Sequence, residues 1–515
     1  MRNSPMLFEQ FSIATALAGF GVTLENDKDI AELTTANLVN DTRELEANDI
    51  FCAVVGHEQD GRAFIETAIV NGAALVLAQC QHSQQHGNIT WRKSHEKPVA
   101  VIQFYQLDRH LFALAKSYYG CPQDKLKMIG ITGTNGKTST CQLVAKLLDA
   151  SDKQCAVIGT NGFGRLNQLI ALGNTTPGPT KLHRLLSEFV QDDVSHVAME
   201  VSSHGLSQGR VCADLLDVAV FTNLSRDHLD YHHTMEDYAQ AKWKIFTGNA
   251  KQLAILNGDD DCAAQWLKDW PSEQPVIVYG FGEHISQYSR YVKANNILHL
   301  LHGVEFELET DCGSIKICSP LMGDFNVSNL LAAISVALVE KISLKNIAQA
   351  ITTMTPIDGR MEAFSQENKT TTVVDYAHTP DGLLQALAAC RQHCNGQLWV
   401  VFGCGGDRDK GKRALMGKIA EQHAQHVIIT NDNPRTEMPE MIVRDILAGC
   451  ENPEKIAVML NRQQAVTSAI THAGCDDIVL LAGKGHEDYI ILGTEKHYYN
   501  EREIVRQQYQ QEAIS

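Results

Sequence analysis

The chain has 515 residues, 44% of them hydrophobic and 20% charged, so it is long enough for roughly three domains with buried cores at ~150 residues each. A formal net charge of −17, with no basic run, argues against a nucleic-acid-binding protein. The N-terminal segment lacks the apolar core of a signal peptide, and no stretch approaches the ~18 apolar residues that span a bilayer. We therefore expect a soluble, cytoplasmic protein without membrane insertion.

Fourteen cysteines are scattered along the chain without CxxC pairs. This pattern is typical of a reducing compartment, where cysteine serves as a small apolar residue, and it favours neither a disulfide framework nor a zinc site.

Short strand-like runs alternate with helical patterns and divide the chain into three blocks. In residues 1–106 the runs are IFCAVVG, AALVLAQ and PVAVIQF, and QHSQQHGNITWRKSHEK is predicted to be an exposed loop. Residues 107–354 contain HVAMEVSS, DVAVFTNLS and QLAILNGDD, and residues 355–515 contain VVDYAHTP, LWVVFGCGGDRDKGK, HVIITNDNPR and IVLLAGKGHED. The alternation predicts a three-domain α/β protein with mainly parallel sheets and ligands at the carboxyl ends of the strands.

The segment TGTNGKTST, residues 132–140, indicates a nucleoside triphosphate site. A glycine-rich turn between strand and helix lets backbone amides surround phosphates, with Lys137 on the β/γ-phosphates and Thr138 on Mg²⁺. The commonest phosphate-loop pattern would place its first glycine at Ile131, whereas this chain has glycines at 130, 133 and 136. A chance glycine-rich turn is the alternative.

Candidate magnesium ligands follow two other strands of the central block. Glu200 ends HVAMEVSS, and NLSRDHLDYHH adds Asp227, His228 and Asp230. A helix-capping glutamate and an ordinary polar loop are the alternative interpretations.

In YAQAKWKIF, helical spacing puts Lys242 on one face with Tyr238 and Phe246, whereas Lys244 lies nearly opposite. A buried lysine has a lowered pKa, and its neutral amine can react with CO₂ to form a carbamate. A structural lysine that extends its amine to solvent is the alternative, and periodicity alone favours it.

Taken together, TGTNGKT, MEVSSHGLSQGR, NLSRDHLDYH, YAQAK, GDFNVSNLLAA and DYAHTP resemble the Mur ligase family, which forms amide bonds to the stem peptide of bacterial peptidoglycan. The resemblance covers nearly the whole chain. It implies a UDP-binding domain, a central ATPase and a C-terminal Rossmann-like domain. It also implies that Lys137, Glu200, His228 and Lys242 are catalytic, that Thr138, Glu200 and His228 serve magnesium, and that Lys242 is carbamylated and helps to hold a second Mg²⁺.

The resemblance further implies three sets of binding residues. The ATP-binding set is Gly133, Thr134, Asn135, Gly136, Lys137, Thr138, Ser139, Asn326, Asn329 and the hinge residue Arg360. The set for the UDP-MurNAc-dipeptide is Thr42, His57, Glu58, Gln59, Asn174, Thr175, Thr176, Ser202, Gln208 and Arg210. The set for the incoming amino acid is Arg408, Asp432, Asn433, Pro434, Arg435, Gly483 and Glu487.

One branch of the family adds the third amino acid of the stem peptide, and TNDNPRTEMP resembles the version of that branch that accepts meso-diaminopimelate. Versions that accept lysine usually lack the arginine that stands here as Arg435. Arg435 can pair with a carboxylate in bidentate geometry, and meso-diaminopimelate differs from lysine by a distal carboxylate. In this loop Pro434 would stiffen the turn that directs the arginine. Taken alone, each of the three segments GGDRDKGKR, TNDNPRTEMP and AGKGHED would be interpreted as an ordinary surface loop.

The expected activity is therefore ATP-dependent ligation of meso-diaminopimelate to UDP-MurNAc-L-Ala-D-Glu through an acyl phosphate, with two Mg²⁺ ions, by a monomer that closes its domains before chemistry. The alternatives are a ligase like folylpolyglutamate synthetase, which shares the ATPase core, and a nucleotide-dependent switch without ligase activity.

Overall fold

The structure is a computed structural model that describes residues 12–24, 36–56, 59–93, 98–300, 303–366 and 368–511. The chain forms two compact units, one of residues 1–256 and 260–276 and the other of residues 257–259 and 277–515. The division into domains 1–106, 107–354 and 355–515 stays a prediction.

The first sheet of the first unit has five strands in the order β1-β2-β3-β5-β4. The strands are β1 (Leu38–Val39), β2 (Ile50–Ala53), β3 (Leu75–Cys80), β4 (Ile89–Arg92) and β5 (Val99–Tyr105). The helices are α1 (Ile13–Ala18), α2 (Ile65–Val70) and α3 (Leu107–Tyr118). All neighbours pair in parallel except β4, which runs antiparallel to β5. The prediction of a loop around β4 was therefore wrong in part, because this mostly exposed edge strand has too few buried side chains to show a strand pattern.

The second sheet of this unit has the strand order β11-β10-β6-β9-β7-β8. Its strands are β6 (Lys127–Thr132), β7 (Cys155–Gly159), β8 (Gly162–Gly164), β9 (His196–Glu200), β10 (Val218–Phe221) and β11 (Leu253–Asn257). Its helices are α4 (Lys137–Asp149), α5 (Pro179–Gln191), α6 (Ser203–Ser207), α7 (Leu229–His232), α8 (Met235–Trp243) and α9 (Asp261–Lys268). Strands β6, β9 and β10 are parallel and nearly fully buried, as expected for a sheet covered on both faces. Their polar ends therefore meet at one edge.

The second unit begins with strands in the order β15-β14-β13-β12. They are β12 (Val276–Gly280), β13 (Tyr291–Leu300), β14 (Gly303–Thr310) and β15 (Gly313–Ser319), and they are followed by α10 (Asp324–Val339) and α11 (Leu344–Thr352). Helix α10 is hydrophobic on nearly every side and almost entirely buried, which is typical of a helix inside a domain.

The last sheet has the order β16-β17-β21-β18-β19-β20 and is parallel apart from β16. Its strands are β16 (Glu362–Phe364), β17 (Thr371–Asp375), β18 (Leu398–Phe402), β19 (His426–Ile429), β20 (Ala457–Val458) and β21 (Ile478–Ala482); a separate hairpin consists of β22 (Tyr489–Leu492) and β23 (Glu495–Tyr498). The helices are α12 (Pro380–His393), α13 (Gly411–His423), α14 (Pro439–Leu447), α15 (Arg462–His472) and α16 (Glu501–Gln511). The predicted α/β class with mainly parallel sheets is confirmed.

All fourteen cysteines are free thiols, and Cys312 and Cys475 are the exposed ones. Among the described helices, none is long and apolar enough to cross a membrane.

Candidate functional site

The three glycines of the phosphate loop each meet a separate steric demand. Gly130 lies in β6, where a Cβ atom would come within 2.5 Å of Leu216. At Gly133 a Cβ atom would lie 1.9 Å from the Thr222 hydroxyl, and Gly136 has a φ of 82°, which favours glycine. The unusual glycine spacing thus fits the packing of this segment against Leu216, which precedes β10, and Thr222, which follows it.

The turn after β10 holds the phosphate loop in place. The Thr222 hydroxyl donates to the Asn135 carbonyl at 2.6 Å, and the Asn135 amide donates to the Asn223 side chain at 2.9 Å. The Lys137 ammonium lies over its own loop and donates to the carbonyls of Gly133 and Thr134, both at 2.8 Å. Residues 222 and 223 were not predicted as part of the site, because only the sheet order places them here.

Thr138 and Glu200 meet at the carboxyl ends of β6 and β9. The Thr138 hydroxyl donates to one Glu200 carboxylate oxygen at 3.0 Å, and the Thr160 amide donates to the other at 2.8 Å. Glu200 is 2% exposed, and a Cβ atom on Gly159 would collide with its carboxylate. The structure therefore brings together the two predicted magnesium ligands and adds Thr160, which sequence reasoning missed.

His228 lies in a group of aromatic side chains at the start of α7. Its imidazole is 3.4 Å from the Asp227 carboxylate, and its ring centroid is 4.9 Å from that of His204. His228 has a φ of 53°, an uncommon conformation for a residue other than glycine. The Asp230 side chain lies outside the part of the chain that the structure describes.

Lys242 is 1% exposed on α8, with its Nζ atom 4.5 Å from the centre of the Tyr238 ring. Burial and the nearby Lys137 charge lower the pKa of Lys242 well below its ordinary value. Lys244 is exposed, as the helical spacing predicted. The Tyr238 hydroxyl accepts a hydrogen bond from Thr134, which links Lys242's helix to the phosphate loop.

The donor set at Thr138 and Glu200 fits Mg²⁺. Among the described residues there is no group of three or more His, Cys, Asp or Glu side chains that could hold a metal ion. Mg²⁺ needs no such cage, because it keeps several waters and binds one or two carboxylates together with substrate phosphates. A hydroxyl and a buried carboxylate beside a phosphate loop supply that pattern.

The residues predicted for the nucleotide-sugar peptide form a hydrogen-bonded chain that starts at Glu200. The Thr176 hydroxyl donates to the Glu200 carbonyl at 2.9 Å and accepts from the Ser202 amide at 3.0 Å. Arg210 donates to the Thr176 carbonyl at 3.3 Å and also bonds the Gln208 side chain.

The neighbouring Thr175 hydroxyl is 3.1 Å from that of Thr160, and Asn174 is exposed. Thr175, Thr176, Ser202, Gln208 and Arg210 are therefore close to the Glu200 side of the phosphate loop.

The predicted uridine-binding turn lies close to the same region. Thr42 is half-buried in the turn after β1, and in that turn Asn40 accepts a hydrogen bond from Thr180 at the start of α5. The Lys181 ammonium donates to Glu44 at 2.8 Å. Gln59 is exposed, whereas His57 and Glu58 lie outside the described residues.

In the second unit, Asn326 and Asn329 lie one turn apart on the buried side of α10. The Asn326 amide donates to the Met322 carbonyl at 2.9 Å, and the two side chains are 3.5 Å apart.

Arg360 stacks over Tyr376, with 4.7 Å between its guanidinium carbon and the ring centre. Its neighbour Gly359 contacts Gly485 so closely that a Cβ atom would lie 2.1 Å from the Gly485 carbonyl carbon. Asp375, which was not predicted, accepts from the Met361 amide at 2.8 Å. Burial raises the pKa of Asp375, and the nearby Arg360 opposes that shift. Asp375 thus orients the segment that carries Arg360.

Arg408 and Arg435 both lie next to Gly405. A Cβ atom on Gly405 would lie 3.0 Å from the Arg435 guanidinium and 3.6 Å from the Arg408 side chain. Arg435 donates to the Gly406 carbonyl at 2.9 Å, and Pro434 is buried beside it. Two loops of the parallel sheet therefore bring the Arg435 guanidinium and the stem of Arg408 next to the same glycine.

An acidic group lies next to Arg435, which donates to the Asn433 carbonyl. Asp432 and Asn433 are buried, and the Asn433 amide donates to the Glu487 carboxylate at 3.1 Å. Gly483, with a φ of 114°, faces Asp432: a Cβ atom there would lie 3.7 Å from the carboxylate. The structure therefore places Asp432, Asn433, Gly483 and Glu487 together, beside the loop position of Arg435.

A buried ion pair joins the two arginine-bearing loops. Arg413, which is fully buried, donates to Glu437 at 2.8 Å, and the Asp407 amide donates to the same carboxylate at 2.6 Å. Arg413 lowers the pKa of Glu437 to about 2. These residues were not predicted, because DRDKGKR reads in the sequence as a solvated turn.

The sequence and the structure were compared with those of known proteins. Residues 131–337 match the Mur ligase middle domain, and residues 359–485 match the Mur ligase glutamate ligase domain. A Haemophilus influenzae protein named UDP-N-acetylmuramoyl-L-alanyl-D-glutamate--2,6-diaminopimelate ligase is 42% identical over 471 residues, or 91% of this chain and 95% of that protein. A Vibrio vulnificus protein of the same name is 43% identical over 93% of this chain and 95% of its own length. A solved structure of a ligase with that name is similar with a TM-score of 0.69 at 32% identity, covering 98% of this chain and 99% of the other. The chain belongs to the Mur ligase family.

Proposed function

We propose that this protein is an ATP-dependent ligase that joins meso-2,6-diaminopimelate to the D-Glu γ-carboxylate of UDP-MurNAc-L-Ala-D-Glu during peptidoglycan precursor synthesis. The observation that carries the proposal is a group in the second unit: Arg435 bonds the Asn433 carbonyl in the loop that also holds Asp432, Asn433 bonds Glu487, and Gly405 lies next to both Arg435 and the Arg408 side-chain stem. The distal end of meso-diaminopimelate has a carboxylate and an ammonium on the same carbon. In this proposal the arginines bind that carboxylate, and Asp432 and Glu487 bind that ammonium. L-Lysine lacks that carboxylate.

The reaction has two steps in this proposal. The γ-carboxylate attacks the γ-phosphorus of ATP, giving an acyl phosphate and ADP. The diaminopimelate amine then attacks the acyl carbon, and phosphate leaves as the amide forms. Catalysis rests on positioning and on neutralising charge.

The phosphate loop supports the first step. Backbone amides of residues 133–139 and the Lys137 ammonium would bind the ATP phosphates. To do so, Lys137 would replace its hydrogen bonds to the Gly133 and Thr134 carbonyls with bonds to phosphate oxygens. Bound Mg²⁺ would neutralise phosphate charge. The candidate ligands are Thr138, Glu200 and His228, and carbamylated Lys242 would help to hold a second ion. Thr176, Ser202, Gln208 and Arg210 would orient the acidic peptide near Glu200.

On the adenine side, Asn326 and Asn329 would contact the base, and Arg360 would approach the phosphates on domain closure. In this proposal residues 1–106 bind the UDP portion, residues 107–354 bind ATP and residues 355–515 bind the amino acid. We further propose that the protein acts as a cytoplasmic monomer in building cell-wall precursors needed for cell shape and division.

Phosphate release measured with each substrate omitted in turn tests the proposal. We expect release only when ATP, the UDP-dipeptide and meso-diaminopimelate are all present, and a much lower rate with L-lysine. Equal rates with both amino acids would contradict the substrate assignment. Turnover with a folate and glutamate would favour the folylpolyglutamate synthetase alternative, and hydrolysis independent of the amino acid would favour a switch.

A further inference from the structure

Lys484 is a buried lysine in the second unit that the proposed reaction does not use. It follows β21 in the segment AGKGHED and is 0% exposed. Its Nζ atom lies 2.7 Å from the Asn433 side-chain oxygen, 2.8 Å from the Tyr489 carbonyl and 3.2 Å from the Glu487 carboxylate. It is also 3.1 Å from the Asp432 carboxylate, an ionic contact without hydrogen-bond geometry.

These contacts occupy the whole ammonium group. An ammonium has three protons, and three oxygens already accept them. Lys484 therefore has no donor left for a substrate. Its effect on a bound amino acid must pass through Asp432, Asn433 and Glu487.

The lysine also sets the charge of this part of the pocket. Asp432 and Glu487 carry two formal negative charges and Lys484 one positive charge, which leaves one net negative charge. Arg462 lies near Gly483, where a Cβ atom would be 4.0 Å from its guanidinium. Its positive charge is neutralised by Glu501 at 2.7 Å, and both side chains are fully buried. One net negative charge matches one substrate ammonium.

The same contacts reach the cationic side of the pocket. Tyr489, whose carbonyl bonds Lys484, begins the hairpin in which the Ile491 carbonyl accepts from the Arg435 amide at 3.1 Å. The Ile491 amide in turn donates to the Asn433 side chain at 2.9 Å. Lys484 is thus connected to both the carboxylates and the arginine.

We propose that Lys484 is a positioning residue for the amino-acid substrate, which holds Asp432, Asn433 and Glu487 in place and leaves one net negative charge for the distal ammonium of a diamino acid. The inference rests on the proposed function, because it takes an amino acid bearing an ammonium and a carboxylate as the occupant of this pocket.

The test compares Lys484→Met with Lys496→Met in the full-length enzyme. Lys496 is an exposed lysine on the β22–β23 hairpin, and its ammonium lies 3.9 Å from the Tyr489 ring centre. Steady-state kinetics give the KM for meso-diaminopimelate, ATP and the UDP-dipeptide separately. Loss of a buried charged hydrogen-bond donor should raise the diaminopimelate KM by roughly tenfold or more.

We expect the KM values for ATP and the UDP-dipeptide to stay within about twofold, and the preference for meso-diaminopimelate over L-lysine to fall. Lys496→Met should match the wild-type enzyme. Because the wild-type enzyme is assayed in parallel, its failure to use meso-diaminopimelate would reject the proposed function rather than the role of Lys484.

Two results would overturn the role of Lys484. One is a folded Lys484→Met variant with an unchanged diaminopimelate KM, or with all three KM values raised alike. The other is failure of both Lys484→Met and Lys484→Gln to fold, judged by ADP binding and thermal denaturation, because Lys484 would then contribute to stability alone.

Discussion

Lys242 shows how the surroundings of one residue can change its chemistry. Its ammonium is buried against Tyr238 and close to the Lys137 charge, so its pKa lies well below the ordinary value. A larger neutral fraction favours reaction with CO₂, because only the unprotonated amine is nucleophilic. The alternative of a lysine that reaches solvent does not fit a side chain that is 1% exposed.

Lys242→Ala should therefore lower ligation by roughly 10²–10³-fold, the loss typical when one group that stabilises transition-state charge is removed. Lys244→Ala changes an exposed lysine two positions away and should stay near the wild-type rate. Assays of phosphate release on both folded variants provide the comparison. Full activity in Lys242→Ala, or mass spectrometry of the active enzyme that finds only unmodified lysine, would contradict the carbamate role.

Arg435→Ala should weaken use of meso-diaminopimelate far more than binding of ATP. Removal of one partner from a charged hydrogen-bonded pair costs about 1.5–3 kcal/mol, which corresponds to a KM increase of roughly 10- to 150-fold. Arg444→Ala, an exposed arginine on α14, serves as the control. If Arg435→Ala retained wild-type kcat/KM for meso-diaminopimelate, the substrate assignment would be wrong.

His183 is a buried histidine on α5, and within the described residues neither of its ring nitrogens has a hydrogen-bond partner. Its ring packs against Phe112 with 4.7 Å between the centroids. Burial lowers the pKa of His183 from 6.5 to about 3, so the histidine stays neutral in the folded protein at pH 5. The unfolded chain binds a proton below pH 6.5, and stability is therefore lost as the pH falls.

His183→Leu should remove this acid sensitivity. Between pH 7 and pH 5 the wild-type protein should lose roughly 2 kcal/mol more unfolding free energy than the variant, and the variant should be at least as stable at pH 7. Urea denaturation at the two pH values measures the difference. Parallel pH dependence in both proteins would show that His183 does not contribute.

Among the structural elements, the two loops that carry Arg408 and Arg435 depend on a shared ion pair. Arg413 is fully buried, and it bonds Glu437, Asp445 and the Gly405 carbonyl. Glu437, whose side chain is 16% exposed, accepts in addition from the Asp407 amide. The loops are thus joined through Arg413 and Glu437, side chains other than those proposed to bind the amino acid.

Glu437→Gln should destabilise the protein by about 2 kcal/mol at pH 7, less than a fully buried pair because part of the carboxylate contacts water. The pKa of Glu437 falls from 4.5 to about 2 on folding, so its stabilising effect is complete above pH 4.5 and is lost as the pH falls towards 2. The stability difference between wild type and variant should therefore shrink between pH 5 and pH 3. Glu440→Gln on α14 is the exposed control, and a constant difference across this range would contradict the assignment.

At the scale of the whole molecule, the sequence was sufficient to predict the class of fold and most of the polar strand ends. A buried parallel strand and its following loop are local patterns, so Glu200 and the phosphate loop could be identified from the residues alone, whereas Asp432 was assigned through the family resemblance. The glycine spacing of that loop could be read but not explained, since the contact between Gly133 and Thr222 joins residues far apart in sequence.

Other site residues could not be predicted, because their roles depend on tertiary neighbours. Lys484 and Arg413 look like solvated lysine and arginine in glycine-rich segments, yet both are 0% exposed. Thr160 and Asp375 gain their roles only through hydrogen bonds to partners on other strands or loops. Strand β4 was missed for the opposite reason, since an exposed edge strand has the composition of a loop.

The distribution of free thiols offers a way to follow motion in this enzyme. Cys312 lies in the turn between β14 and β15, and Cys475 lies just before β21, and both are exposed whereas the other twelve are buried or half-buried. Maleimide dyes should therefore react with these two positions first in the native protein. A donor and an acceptor placed there would report, by energy transfer, whether ATP and the amino acid change the distance between the two turns during turnover.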